Sequence, residues 1–181
     1  AYIVFEELPL KDFGNRIPQL SFEIEKSLRD EDPETLENAV TAITLIPGSG
    51  EFALGTTKVF REEREGASVS ENVHNNDGVT DFVSSLDALE AAAPDLQSVS
   101  LVVSWFGTDL RAGSCEIKPG VEVAAKTTAP YDWKAGNVTR GGAHLVSLHN
   151  NAPAYGGTPA DKSVIEAIAE IKARGLEAMF H

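Results

Sequence analysis

Residues 99–111 read VSLVVSWFGTDLR, and this stretch constrains the fold more than any other. Val99, Leu101, Val102, Val103, Trp105 and Phe106 make a nearly unbroken apolar run, the pattern of a parallel strand covered on both faces. Gly107 ends the run, and Asp109 and Arg111 follow at once. In α/β proteins, ligand sites are built at the carboxyl ends of such strands. An aromatic ring and two opposite charges delivered there make Trp105, Asp109 and Arg111 the candidates for substrate binding. Asp109 is also the candidate for acid or base chemistry. The competing reading is an ion pair between Asp109 and Arg111, or a loop cap made by Asp109.

The flanking elements define an α/β frame. Val40 to Ile46 reads as another apolar strand, ended by Pro47-Gly48. Thr80 can cap a helix on which Phe82, Val83, Leu86 and Leu89 share one face, and Pro94 stops it. A second helix has Thr158 as its N-cap, Pro159 at its first position and Asp161 as a capping-box acid. Val164, Ile165, Ile168 and Ile171 line its buried face, Gly175 closes it, and Leu176 to Phe180 opens a further strand. The excursion between Arg111 and this helix holds one candidate strand, within Glu116 to Val123, and connections of that length are often functional. Strand, excursion, helix and strand make an enlarged right-handed βαβ unit. Nearer the amino terminus, residues 1–27 read as a hairpin or two neighbouring strands around Gly14-Asn15. Residues 28–39 read as a charged connector or short helix, and 61–78 as a polar loop or linker.

Composition excludes several classes of function. A net charge of −13, with 15 scattered basic residues, argues against nonspecific nucleic-acid binding, which needs clustered Lys and Arg. No apolar run approaches the roughly 20 residues of a membrane-spanning helix. Cys115 is the single cysteine, so no intrachain disulfide forms, and it reads as a half-buried small apolar residue rather than a catalytic thiol. The strand-like AYIVFEEL at one end and the apolar GLEAMFH at the other read as cut edges of something longer.

Motifs for cofactors and metals fail on the residues that carry the chemistry. Gly50 and Gly55 have phosphate-loop spacing, but Thr56 stands where the phosphate-binding lysine is needed. Aligning Gly78 with the glycine of a calcium loop puts Val73 at the first ligand position and Ser84 at the last. His74, His144, His149 and His181 show no metal-binding spacing and read as solvated or hydrogen-bonded side chains. No cofactor and no metal is therefore expected. No Gly-x-Ser-x-Gly elbow is present, and a small free-standing α/β hydrolase would use Asp109 with His144, His149 or His181.

Four segments carry a resemblance: AYIVFEELPLKDFGNRIPQLSFEI (1–24), LIPGSGEFAL (45–54), SLVVSWFGTDLRAGSC (100–115) and YGGTPADKSVIEAIAEIKARG (155–175). Together they resemble the large tail proteins of gene transfer agents and related phages. The resemblance implies a mixed α/β chain in two parts. A β-rich, tail-hub-like segment with a polar linker spans 1–77, and the opening strand–helix–strand unit of a glycoside-hydrolase-like TIM-barrel domain spans 78–181. It implies that the Val99 strand is the first of the barrel and Leu176 to Phe180 the start of the second. Trp105, Asp109 and Arg111 would then face the carboxyl end, where Trp105 suits stacking on a sugar. The implied partners are other tail or baseplate proteins and cell-envelope saccharide, in a homo-oligomeric parent made in the bacterial cytoplasm and carried in the tail of a virion-like particle. A non-catalytic adhesion or assembly module is the alternative, because hydrolases of this fold take their acid and nucleophile from later strands.

Overall fold

The computed structural model describes residues 35–47 and 50–180. The strands expected within 1–27, and His181, lie outside the described residues. The chain is mixed α/β, and none of its described helices is long and apolar enough to cross a membrane.

Among the described residues, a three-stranded parallel sheet forms the frame. Its strands are Ala42–Leu45, Ser98–Leu101 and Glu177–Phe180, adjacent in chain order with Ser98–Leu101 in the centre. The register aligns Ile43, Val99 and Ala178 in one row and Leu45, Leu101 and Phe180 in the next. Helices Asp81–Ala92 and Asp161–Ala173 make the two crossovers. Both helices cover the same face of the sheet. Phe82 and Leu86 from the first helix, and Ala167 and Ile171 from the second, share one core with Val99, Leu101, Ile43, Leu45 and Ala178. Arg174 ties the two helices together, reaching Asp87 at 2.7 Å, Glu90 at 2.5 Å and Glu170 at 2.9 Å.

This arrangement corrects the reading of the Val99 strand in two ways. It is the middle strand of the three, since Ala42–Leu45 precedes it as a parallel neighbour. Among the described residues it is also covered heavily on one face only. Val99 and Leu101 are fully buried beneath the helices, while Ser98 and Ser100 alternate to the other face and are half-buried. The ladder ends at Leu101, so Val102 to Trp105 extend the apolar run without extending the strand.

The polar stretch before residue 78 is a hairpin rather than a linker. Phe60–Arg64 and Ala67–Ser70 pair antiparallel, with Gly66 at φ +75° in the turn, and Thr128–Ala129 adds a third strand. Leu54, the strand Ala42–Leu45 and the residues after 78 pack into the same core, which therefore continues across positions 77 and 78.

The helix ends divide between expectation and surprise. Gly175, at φ +80°, closes the last helix with its N–H on the Lys172 carbonyl (3.0 Å), and the Leu176 N–H reaches Ile171 (3.2 Å). That is the paired-bond ending glycine permits. At the other end the helix starts at Asp161 with Ala160 in the cap position, so Thr158 and Pro159 stand outside it. Thr80 occupies the cap position of the Asp81–Ala92 helix, but its hydroxyl makes no capping bond.

The excursion 102–160 is compact. It is built from two-residue pairings, among them Phe106–Gly107 with Ile117–Lys118 and Gly120–Val121 with His144–Leu145. It carries its own core of Val121, Trp133, Ala135 and Ala160, packed on Phe52 and Val59 from the loop after the first strand.

Candidate functional site

The chain leaving the carboxyl ends of Ala42–Leu45 and Ser98–Leu101 converges on one region with the approach to the last helix. The loop after Leu45 supplies Pro47, Gly50 and Glu51, and the chain after Leu101 supplies Ser104 and Phe106. The approach to the last helix supplies Tyr155, Gly156, Gly157 and Pro159. These residues, apart from Glu51, line an open cleft of ≈ 210 Å³. Glu51 lies directly behind it. A side-chain carbon added at Gly157 would stand 2.7 Å from Glu51 Cγ and 2.9 Å from the Gly120 carbonyl oxygen, so only glycine lets the cleft wall close over the carboxylate.

Glu51 is fully buried and completely partnered. Its Oε1 accepts from the Glu122 N–H and from Arg140 Nη1, each at 2.9 Å. Its Oε2 takes Arg140 Nη2 at 2.5 Å and Lys126 Nζ at 3.0 Å. Lys126 also contacts Glu71 at 2.8 Å and Glu122 at 3.5 Å, and Arg61 reaches Glu71 at 3.7 Å. Three carboxylates thus face three cations. Burial by itself would raise the Glu51 carboxyl, but the Arg140 hydrogen bonds, the Lys126 and Arg140 charges and the Glu122 N–H together hold it below its ordinary value. Burial likewise opposes the charge on Lys126, while Glu71 and Glu51 hold its ammonium above the usual range. With both oxygens engaged inside the protein, this carboxylate braces the cleft walls from behind.

Two further braces fix those walls. Thr158 donates its N–H to the Gly120 carbonyl (2.8 Å) and accepts on Oγ1 from the Gly120 N–H (2.9 Å). Its carbonyl accepts from Trp133 Nε1 at 2.7 Å, and the Arg140 guanidinium stacks 5.8 Å from the Trp133 ring. Those duties take Thr158 away from the helix end it was expected to cap. On the last helix, Glu166 accepts from the Thr56 and Thr57 N–H groups, each at 3.0 Å, and from Thr57 Oγ1 at 2.7 Å.

The residues singled out from sequence are brought together only in part. Asp109 and Arg111 form a bidentate pair in the loop between Phe106–Gly107 and Ile117–Lys118, with Nε at 3.0 Å and Nη2 at 2.6 Å from the carboxylate. The Arg111 N–H also reaches Asp109 Oδ1 at 2.8 Å. The ion-pair and loop-cap readings are therefore both realised. The Arg111 hydrogen bonds hold the Asp109 carboxyl below the usual range, and no hydrogen bond among the described residues joins it to His144 or His149. Trp105 is 46% exposed, and its ring lies 3.8 Å from where a side-chain carbon on Gly136 would stand, while its neighbours Ser104 and Phe106 line the cleft. His144 stacks obliquely on Phe106 at 6.1 Å. His74 is hydrogen-bonded through Nδ1 to Asp81 at 2.7 Å, and Cys115 is a half-buried thiol beneath Gly107. An exposed pair such as Asp109–Arg111 adds little to stability. Asp109→Asn is expected to leave the thermal unfolding midpoint unchanged at low and at high salt, as differential scanning fluorimetry would show.

Sequence reasoning missed Glu51, Lys126, Arg140 and Tyr155. Glu51 meets Arg140 across 89 residues of chain and the Glu122 N–H, near Lys126, across 71, which no local pattern reveals. Tyr155 stood inside the YGGTP segment, where the aromatic followed by two glycines was the available signal. No protein-family model matches this chain, and no curated protein sequence matches it.

Proposed function

We propose that this chain belongs to the hub of a phage-tail-like particle of the gene-transfer-agent kind, and that its parallel unit opens a glycoside-hydrolase-like barrel presented to the cell envelope. The observation that carries the barrel half is the wiring of the sheet. Three parallel strands adjacent in chain order, with both helices on one face, are what a singly wound sheet closing on itself needs. A doubly wound sheet would reverse its order and carry helices on both faces. In the barrel reading, Ala42–Leu45 is one strand earlier than the Val99 strand, and the face bearing Thr44, Ser100 and Met179 is the barrel interior. The carboxyl-end cleft then lies where barrel proteins bind ligands. The hub half of the proposal rests on the four resembling segments, with other tail or baseplate proteins as partners.

A binding role without turnover is favoured for these residues by one specific observation. Among the described residues the cleft is lined by no carboxylate, and Glu51 and Asp109 are each occupied by arginine. Glycoside hydrolysis needs two free carboxyl groups flanking the bond, so any cleavage would draw on carboxylates outside this cleft. The test has two arms. Antibody raised to this chain should label the tail tip of particles purified from producing cells; particles free of the chain would overturn the hub reading. The longest natural form of the protein should bind cell-wall saccharide whether or not it releases reducing ends, and failure to retain any envelope saccharide would overturn the glycan reading.

A further inference from the structure

We propose that Tyr155 is the stacking platform of the carboxyl-end cleft, and that the cleft takes one neutral pyranose ring of an envelope saccharide. This rests on the glycan-binding reading above and replaces Trp105 as the aromatic that meets the sugar. Tyr155 is 66% exposed, yet it lines the cleft together with Phe106. An exposed tyrosine at the rim of a built cleft offers a flat apolar face and a polar edge, the combination that a ring with axial C–H groups and equatorial hydroxyls requires. The floor beside it, Gly156-Gly157, carries no side chain, so the backbone stays open to approach. Gly157 is pinned against Glu51 and Gly120, so the floor is preorganised rather than induced.

Charge and size narrow the ligand. Among the described residues the lining holds no acidic or basic side chain, Ser104 and Tyr155 supply the hydroxyls, and the whole chain carries −13. An anionic sugar or a phosphorylated polymer would find no counter-charge in the cleft and a repelling field around it. A volume of ≈ 210 Å³ falls below the roughly 300–1,000 Å³ of drug-sized pockets. That limits the cleft to a single ring, with the rest of the glycan outside.

The experiment titrates the longest natural form of the protein with N-acetylglucosamine tetramer, a neutral glucose oligomer and an acidic uronate oligomer, followed by saturation-transfer NMR and calorimetry. Tyr155→Ala should weaken binding of a neutral oligomer by about tenfold, Tyr155→Trp should retain it, and Trp105→Ala should leave it within about twofold. Circular dichroism and the thermal midpoint check that each variant folds. A folded Tyr155→Ala that binds like wild type, loss of binding in Trp105→Ala alone, or preference for the uronate would overturn the inference while leaving glycan binding intact. Wild-type protein that binds none of the saccharides would instead remove the glycan reading itself.

Discussion

Glu51→Ala is expected to destabilise the protein by about 3–5 kcal/mol, the cost of leaving buried cations without their counter-charge. Measured as a shift in the urea midpoint, a loss of that size is a large part of the roughly 5–15 kcal/mol that holds a domain folded. Arg140 would lose both of its carboxylate bonds, and Lys126 one of its three acidic partners. Pairing Glu51→Ala with Arg140→Ala should cost much less than the sum of the two, because the second change removes a charge the first left stranded. A purely steric role for Glu51 would instead give additive losses. The same site sets the acid limit of the fold. The folded Glu51 carboxyl sits below its ordinary value of 4.5, so the stability it contributes is fully present above that value and is lost as pH falls through the depressed folded value. Wild type should therefore lose stability as pH falls below about 4.5, and Glu51→Ala should lose less over the same range. Parallel acid limbs for the two proteins would contradict the assignment.

Trp133→Ala should have the next largest effect, about 3–5 kcal/mol for emptying a fully packed aromatic site. Its ring is 1% exposed and centres the excursion core with Phe52, Val59 and Val121, and its indole N–H satisfies the Thr158 carbonyl. Trp133→Phe keeps much of the packing and leaves that buried carbonyl unpaired, so it should fall between wild type and alanine. The damage should also be local. Hydrogen exchange ought to accelerate in 102–160 while the amides of Ser98–Leu101 stay slow, since those belong to the other core. Equal acceleration in both regions would mean that the two cores unfold as one.

What the sequence made legible follows from what is local. The helix over 81–92 and the end of the last helix at Gly175 were readable because an apolar face at helical spacing and a glycine with positive φ act within a few residues. The strand Ala42–Leu45 was readable for the same reason, bounded by its proline. The hairpin Phe60–Ser70 was not, because FREER and ASVS place charged and small residues where a half-buried strand would alternate. The apolar run at Val99 overstated its burial. Val99 and Leu101 lie under the helices, but Val102 and Val103 continue past the ladder into the loop. Asp109 and Arg111, two residues apart, were readable as a pair, and their mutual bonds leave the carboxylate engaged. The Glu51 brace depends on residues that only the tertiary fold brings together, and with it the placing of Tyr155 over a glycine floor.

The most direct test of the barrel proposal is the structure of the longest natural form of this protein, solved by electron cryo-microscopy in the intact particle. The edge of Glu177–Phe180 that faces away from Ser98–Leu101 should carry another parallel strand. The helices should all lie on the outer face, and Thr44, Ser100 and Met179 should point inward. A helix packed on the Thr44–Ser100–Met179 face, or a sheet that ends at Glu177–Phe180, would contradict it.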